Sequence, residues 1–407
     1  MNAPLHHSTA APEAERIAGD RETPARGACV LQVLPELGVA GGVERGTIEI
    51  AAAIVRAGGR ALVASAGGAL AYEIMRAGGR HIVLPLASKN PYVIWKNIER
   101  LKALIAAEKV DIVHARSRAP AWSAYYAARA AKVHFVTTFH GTYSIGNALK
   151  LRYNSVMTKG ERVIAISDFI AGHVMQNYGV PVSRLRIVHR GVDLDRFNPA
   201  KVSAERVIQL STKWNLGDGV PVVMLPGRLT RWKGQTVFIE AVARLKTRDL
   251  RCLLVGSDQG RTGYRRELEN LITARGLAGV IRVLDNCNDM AAAYMLTDVV
   301  VSASIEPEAF GRVIPEAQAM GRPVIATDHG GARETVIEGE TGWLVPPSDP
   351  DALAAAIEKV LTVRGPVREI LAAKAMANIR EHFSTASMCA KTLAVYDEVL
   401  AGSPPTL

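Results

Sequence analysis

Two glutamates with a glycine turn between them carry the strongest chemical signal in this chain. Glu308 and Glu316 are separated by seven residues, Ala309 to Pro315, which include Phe310 and Gly311. The apolar run Val299-Val-Val-Ser-Ala303 before them reads as a buried parallel strand. Arg312 to Met320 reads as a helix that Gly321 stops. Gly311 then falls where strand gives way to helix. Free backbone N–H groups there, with the positive end of the helix dipole, would face an anion. A glutamate before the helix and another in its first turns can line one cleft, each within reach of a polyhydroxylated ligand. The plainer alternative gives Glu308 to helix capping and leaves Glu316 in solvent.

Other candidates sit at similar strand-to-helix turns. Gly227-Arg-Leu-Thr-Arg-Trp-Lys-Gly234 follows the apolar run Val220–Leu225. Arg228 offers a planar fork for two phosphate oxygens and Lys233 a point charge beside a helix start; a solvated basic loop is the bland reading. Phe139-His-Gly-Thr142 directly follows the strand His134–Thr138. Ligands of open α/β sheets bind beyond the carboxyl ends of strands, so His140 is expected at the cleft, although a lone histidine is more often structural. Gly38-Val-Ala-Gly-Gly42 after the first strand is not G-x-G-x-x-G, and the second strand ends in Ser65 with no acid for a ribose hydroxyl. A dinucleotide fingerprint is therefore poorly supported. Asp193-Leu-Asp195 has the spacing of a D-x-D metal motif.

Bringing these turns to one edge requires a regular scaffold, and the chain supplies it. At 407 residues, 48% hydrophobic and 22% charged, it suits two globular domains. Strand–helix alternation with short glycine breaks runs from Cys29–Leu34 through Val43–Arg56, Asp111–His114 and Asp168–Tyr178, which predicts a doubly wound parallel sheet over residues 27–198. Asn198-Pro199 breaks the pattern and marks a linker. The alternation restarts at Val220 and defines a second domain over 199–383. A last helix, 384–401, opens at Ser384 and sets Met388, Thr392, Tyr396 and Val399 on one face that needs a partner surface. Residues 1–26 lack an apolar core and read as a disordered tail and not a signal peptide. The four cysteines are scattered without C-x-x-C spacing, so a zinc site is not expected and a reduced, cytoplasmic protein is the default. No apolar stretch approaches the ~20 residues of a membrane span.

From Gly227 to about Ala356 the chain resembles the retaining glycosyltransferases of family 4. The E-x7-E element, Gly321-Arg-Pro-Val-Ile-Ala-Thr327, Gly330-Gly331, Glu334 and Gly342-Trp-Leu-Val345 carry the resemblance. It extends more loosely over residues 29–200 and the last helix. The resemblance implies the GT-B architecture, an α/β fold of two Rossmann-like doubly wound domains facing a cleft, with the C-terminal helix returning to the first domain. It implies a nucleotide-sugar co-substrate and no cofactor or metal. Glu316 would hold the nucleotide ribose and Glu308 the sugar ring. Arg228 and Lys233 would bind the diphosphate and neutralise it as it departs, helped by the backbone at Gly41 and Gly42. Phe310, Gly311, Arg312 and Val313 would complete the donor site, and His140 would position the sugar and incoming hydroxyl. The resemblance also makes Asp193 and Asp195 part of a structural linker. The chain departs from the pattern at Arg190, where the family usually has Asn, and at Asp285–Asp289, near the expected nucleotide base.

Charge points to the acceptor. Residues 27–198 hold 22 Lys/Arg against 11 Asp/Glu, whereas residues 199–407 are balanced, so the first domain carries the whole positive excess. Arg116 and Arg118 follow a strand end. If residues 148–159 form one helix, Leu149, Tyr153 and Val156 make an apolar stripe edged by Lys150, Arg152 and Lys159. That suits an anionic, lipid-linked acceptor such as a bacterial lipopolysaccharide core, met at the inner face of the cytoplasmic membrane. The rival readings are a non-catalytic sugar-nucleotide- or glycan-binding protein of the same fold, and a nucleic-acid binder suggested by a pI near 9.5. Few aromatics accompany the basic residues and no recognition motif appears, so nucleic acid is not expected as a partner.

Overall fold

A computed structural model describes residues 27–38, 42–143, 145–217 and 219–402; the expected tail, residues 1–26, lies outside them. Among the described residues thirteen strands form two parallel sheets. The first contains β1 (Cys29–Val33), β2 (Arg60–Ser65), β3 (Arg80–Val83), β4 (Ile112–Ala115), β5 (His134–Phe139), β6 (Arg162–Ala165) and β7 (Leu185–Ile187). The second contains β8 (Val222–Pro226), β9 (Arg251–Val255), β10 (Ile281–Leu284), β11 (Val299–Ser302), β12 (Val324–Thr327) and β13 (Trp343–Val345). Their orders are β3-β2-β1-β4-β5-β6-β7 and β10-β9-β8-β11-β12-β13. In each sheet the strand order reverses once, between β1 and β4 and between β8 and β11, and so gives a Rossmann-type switch point. Short runs such as Cys-Val-Leu-Gln-Val and Val-Val-Val-Ser are buried along their whole length, as strands covered by helices on both faces must be.

Local chemistry sets the helix limits. Ser167 caps the helix Asp168–Tyr178 by accepting from the Ile170 N–H, and Gly179 ends it with φ +65. Ser384 accepts from Ser387 N–H to open the last helix, Thr385–Leu400. That helix belongs spatially to the first sheet. Met388, Cys389, Val395, Tyr396 and Val399 are buried together with Val30, Ile50, Ile54 and Ile112. Tyr396 Oη lies 2.7 Å from His114 Nδ1, and His114 Nε2 lies 2.7 Å from Thr138 Oγ1, a fully buried chain that ties the helix to β4 and β5.

The expected helix over 148–159 is two pieces. An α-helix covers Ala148–Asn154, and a 3-10 turn follows at Ser155–Thr158. Ser155 Oγ donates to the Arg152 carbonyl and Thr158 Oγ1 to the Ser155 carbonyl, the local bonding that competes with regular helix. The tighter turn carries Val156 into the core, while Leu149 and Tyr153 stay exposed. The anticipated stripe is therefore split.

Candidate functional site

The turns after β1, β5, β8 and β11 meet where the carboxyl ends of the two sheets face each other. A cavity of about 350 Å³ lies between them, lined from the first domain by Gly42, His140, Thr142, Ile166 and Arg190 and from the second by Trp232 and Glu306–Arg312. A neighbouring cavity of about 560 Å³ is lined by Glu316, Arg196, Glu49, Asp193 and the start of the last helix, and Arg312 lines both. A third, of about 520 Å³, is lined by Tyr125, Arg129, Lys159 and Arg184 at the amino ends of β5 and β6, the wrong end of a parallel sheet for the chemistry of these turns.

Glu308 does not cap a helix. Its carboxylate lies 2.7 Å from Lys233 Nζ and both side chains are largely buried, with the Ser304 hydroxyl donating to its other oxygen. Burial alone would raise its pKa, but Lys233 and the Ser304 and Ser302 hydroxyls hold it below the usual carboxylate range. Two glycine features make the pairing possible. Gly234 has φ +71, and a Cβ there would come 1.8 Å from the Ala303 carbonyl oxygen, so only glycine lets the loop after β8 lie on the end of β11. Gly330, at φ +57, lies so close that a Cβ would meet the Glu308 carbonyl at 2.4 Å, while Gly331 N–H donates to that carbonyl. The glycine pair downstream thus fixes the glutamate loop.

Glu316 sits in the helix Val313–Ala319, where the fully buried Tyr294 donates to it at 3.2 Å. Its pKa is raised by burial against the pull of Arg312 and Arg196. The two glutamates thus open to adjoining cavities joined by Arg312. Arg228 is exposed beside the loop, and its carbonyl accepts from Gln235 Nε2. Phe310 lines the cavity with its ring buried against Phe383, 6.0 Å between centroids, so a ligand would meet its backbone and not its ring. Gly311 has φ +76 and makes the turn, and Val313 is half-buried against the core.

On the first-domain side, Gly42 opens the helix Gly42–Arg56, and its carbonyl accepts from Arg190 Nη1. Gly41 lies outside the described residues. His140 Nδ1 is 2.9 Å from Arg190 Nη2. Its pKa is held well below the usual range by burial and then by Arg190, Arg116 and His114. Arg116 is 3% exposed, which corrects the expectation that it greets an acceptor at the surface: a buried guanidinium under the cleft cannot meet a lipid headgroup. Arg118 is half-buried, stacked over the Tyr143 ring at 4.1 Å and donating to Asn154 Oδ1. Lys150 and Arg152 are exposed. Asp193 Oδ1 accepts from the Asp195 and Arg196 N–H groups, a turn bond, and Asp195 pairs with Lys201.

Sequence reasoning gave no role to Glu334. From the second domain its carboxylate accepts from the Asp168 and Phe169 N–H groups at 2.8 and 2.9 Å, capping a first-domain helix, and lies 2.9 Å from His189 Nε2. Only its neighbour pattern, Gly330-Gly331-x-x-Glu334, was visible in the chain.

Two Rossmann-like parallel-sheet domains that face each other across a cleft lined by charged turns form a GT-B architecture. The family model "Glycosyl transferases group 1" matches residues 208–380 and "Glycosyltransferase Family 4" matches residues 40–196. A D-inositol 3-phosphate glycosyltransferase of Xylanimonas cellulosilytica is 31% identical over 310 residues, covering 72% of this chain and 73% of that protein. One of Geodermatophilus obscurus is 35% identical over 219 residues, and the match spans about half of each, 51% of this chain and 47% of that protein. The crystal structure of a glycosyltransferase from Rickettsia africae is 39% identical, covers 93% of this chain and 100% of its own, and superposes with a TM-score of 0.86. Anabaena HepE in complex with UDP-glucose is 26% identical, covers 90% and 99%, and has a TM-score of 0.76. The chain belongs to the group 1/family 4 glycosyltransferases.

Proposed function

We propose that the protein transfers a sugar, with retention, from a nucleotide-sugar donor to a hydroxyl of an anionic acceptor. The observation that carries this reading is the buried Glu308–Lys233 pair at 2.7 Å, set across one cavity from His140. Burying two charges is costly unless they are paired, and this pair stands at a cleft where a ligand can exchange with it. On donor binding Lys233 would turn to the diphosphate, joined by Arg228 and Arg312, and Glu308 would turn to the sugar hydroxyls. Glu316 would take the ribose. Fixed cations at the leaving diphosphate stabilise charge that grows in the transition state and need no metal to do so. That HepE is captured with UDP-glucose supports a uridine nucleotide as the first donor to try.

The acceptor is read from two observations. The relatives named for D-inositol 3-phosphate favour a soluble phosphorylated acceptor. Exposed Leu149 and Tyr153 beside Lys150 and Arg152 favour an anionic lipid-linked glycan, such as a lipopolysaccharide core, reached at a membrane surface. Among the described residues no helix is long and apolar enough to cross a membrane. Purified protein with UDP-glucose and, in parallel, D-inositol 3-phosphate or a lipopolysaccharide-core acceptor in vesicles separates these readings. Product with α linkage from an α-linked donor, in the presence of chelator, supports the proposal. A binding protein without turnover of any donor sinks it.

A further inference from the structure

Arg190 follows β7 and reaches two first-domain turns, and its surroundings show what an arginine does there. Its guanidinium is clamped between two first-domain turns: Nη1 donates to the Gly42 carbonyl and Nη2 lies 2.9 Å from His140 Nδ1. A Cβ on residue 42 would come 2.7 Å from Nη1, so the guanidinium packs directly on the Gly42 backbone. A guanidinium has only donors. The His140 nitrogen facing it must therefore accept, which leaves the proton on Nε2. That atom is buried and has no hydrogen-bond partner among the described residues, and His140 lines the cavity shared with Glu308.

We propose that Arg190 is a positioning residue that holds His140 as the neutral Nε2–H tautomer, so that the ring meets the transferred sugar as a hydrogen-bond donor. The inference rests on the sugar contact proposed above for His140.

The electrostatics agree with the geometry. The groups acting on the His140 ring are Arg190 from the segment after β7 and Arg116 and His114 from β4 and its end; the Tyr143 phenol bonds the His140 backbone and not its ring. Glu308 faces the same cavity from the other domain. Burial and the arginines oppose an imidazolium here, and His114 is itself held neutral by burial. Arg190 is pushed down to about 9 by burial and by Arg312 and Arg116, with Glu49 and Glu44 pulling the other way; it remains a cation at neutral pH. A neutral donor adds no positive charge beside a sugar that becomes cationic at its anomeric carbon. An imidazolium would.

The test is nitrogen-detected NMR of the full chain with labelled histidine, beside the pH profile of kcat. The wild-type His140 ring should show protonated Nε2 and bare Nδ1 from pH 6 to 8. Arg190→Gln removes the cation, so the ring should become a tautomer mixture and its protonation midpoint should rise by about one pH unit or more. The acid limb of kcat should move up with it, while KM for donor changes little. Arg190→Lys, which keeps a cationic donor, should restore much of the wild-type profile. A wild-type ring protonated on Nδ1, or charged at pH 7, overturns the proposal whatever the variants do. So does an Arg190→Gln protein whose spectrum and pH profile are unchanged. Full activity in His140→Ala would remove the sugar contact itself, a failure that the NMR spectrum distinguishes from failure of the tautomer.

Discussion

Glu308 and Glu316 have the same side chain and opposite environments, and their pH behaviour should differ in sign. Glu308 is held below its ordinary range chiefly by Lys233 against burial. Its contribution to stability is therefore present above the unfolded carboxylate pKa, near 4.3, and lost as pH falls below it. Glu316 is raised by burial, so its neutral form is favoured in the fold, and stability is lost as pH rises through its folded pKa. Glu316→Gln should then melt higher than wild type at pH 7 to 8, with the gain vanishing at acid pH, while KM for donor rises. A Glu316→Gln protein less stable than wild type at pH 8 would contradict the burial argument. Lys233→Met strands a buried carboxylate and should cost about 3 kcal/mol in urea unfolding. Glu308→Gln, which keeps an amide oxygen for Lys233 to donate to, should cost less and chiefly lower kcat.

The helix Asp168–Tyr178 has one cap from its own Ser167 and another from Glu334 on the opposite domain. Burial would raise the Glu334 pKa, but His189 and the two backbone donors hold it below the usual range. Its contribution is thus lost on acidification, like that of Glu308. Glu334→Ala should remove about 1–2 kcal/mol of stability and speed amide exchange at Asp168 and Phe169 without changing the rest of the helix. Exchange at those two amides identical to wild type would show that the second domain does not cap this helix. Because the cap crosses between domains, the same variant should broaden the distribution of interdomain distances seen in solution scattering.

The C-terminal helix holds the first domain from outside its own stretch of sequence. It buries Met388, Cys389, Val395, Tyr396 and Val399, and at ~1.5–3 kcal/mol for each large apolar side chain its gross contribution is on the order of 10 kcal/mol. That is comparable to the whole stability of a domain. A chain ending at Phe383 should be recovered only as aggregate or as a species that binds hydrophobic dyes, and a folded, cooperative first domain from such a chain would refute this. Tyr396→Phe is the milder probe. It leaves buried His114 Nδ1 without its partner and should cost about 1–3 kcal/mol, read as a lower midpoint in denaturant.

The sequence by itself determined the alternation of strand and helix, the E-x7-E turn and the basic loop before Gly234, because these are written in local spacing and in glycines that only certain backbone turns need. It also contained the apolar face of the last helix, as a 3.6-residue period. The tertiary structure alone decided the partners. Lys233 meets Glu308 across 75 positions of chain because parallel strands β8 and β11 are neighbours. Arg116 follows a strand end as a surface residue would, yet it is buried, since burial depends on what folds over it and here that includes the last helix and the segment carrying Arg190. Val156 turned inward because two hydroxyls broke a helix that composition allowed. Glu334 and Arg190 act on groups 166 and 50 residues away, and no periodicity within either segment records such distances. Patterning carries the fold because it repeats locally, whereas the site forms between segments that only packing brings together.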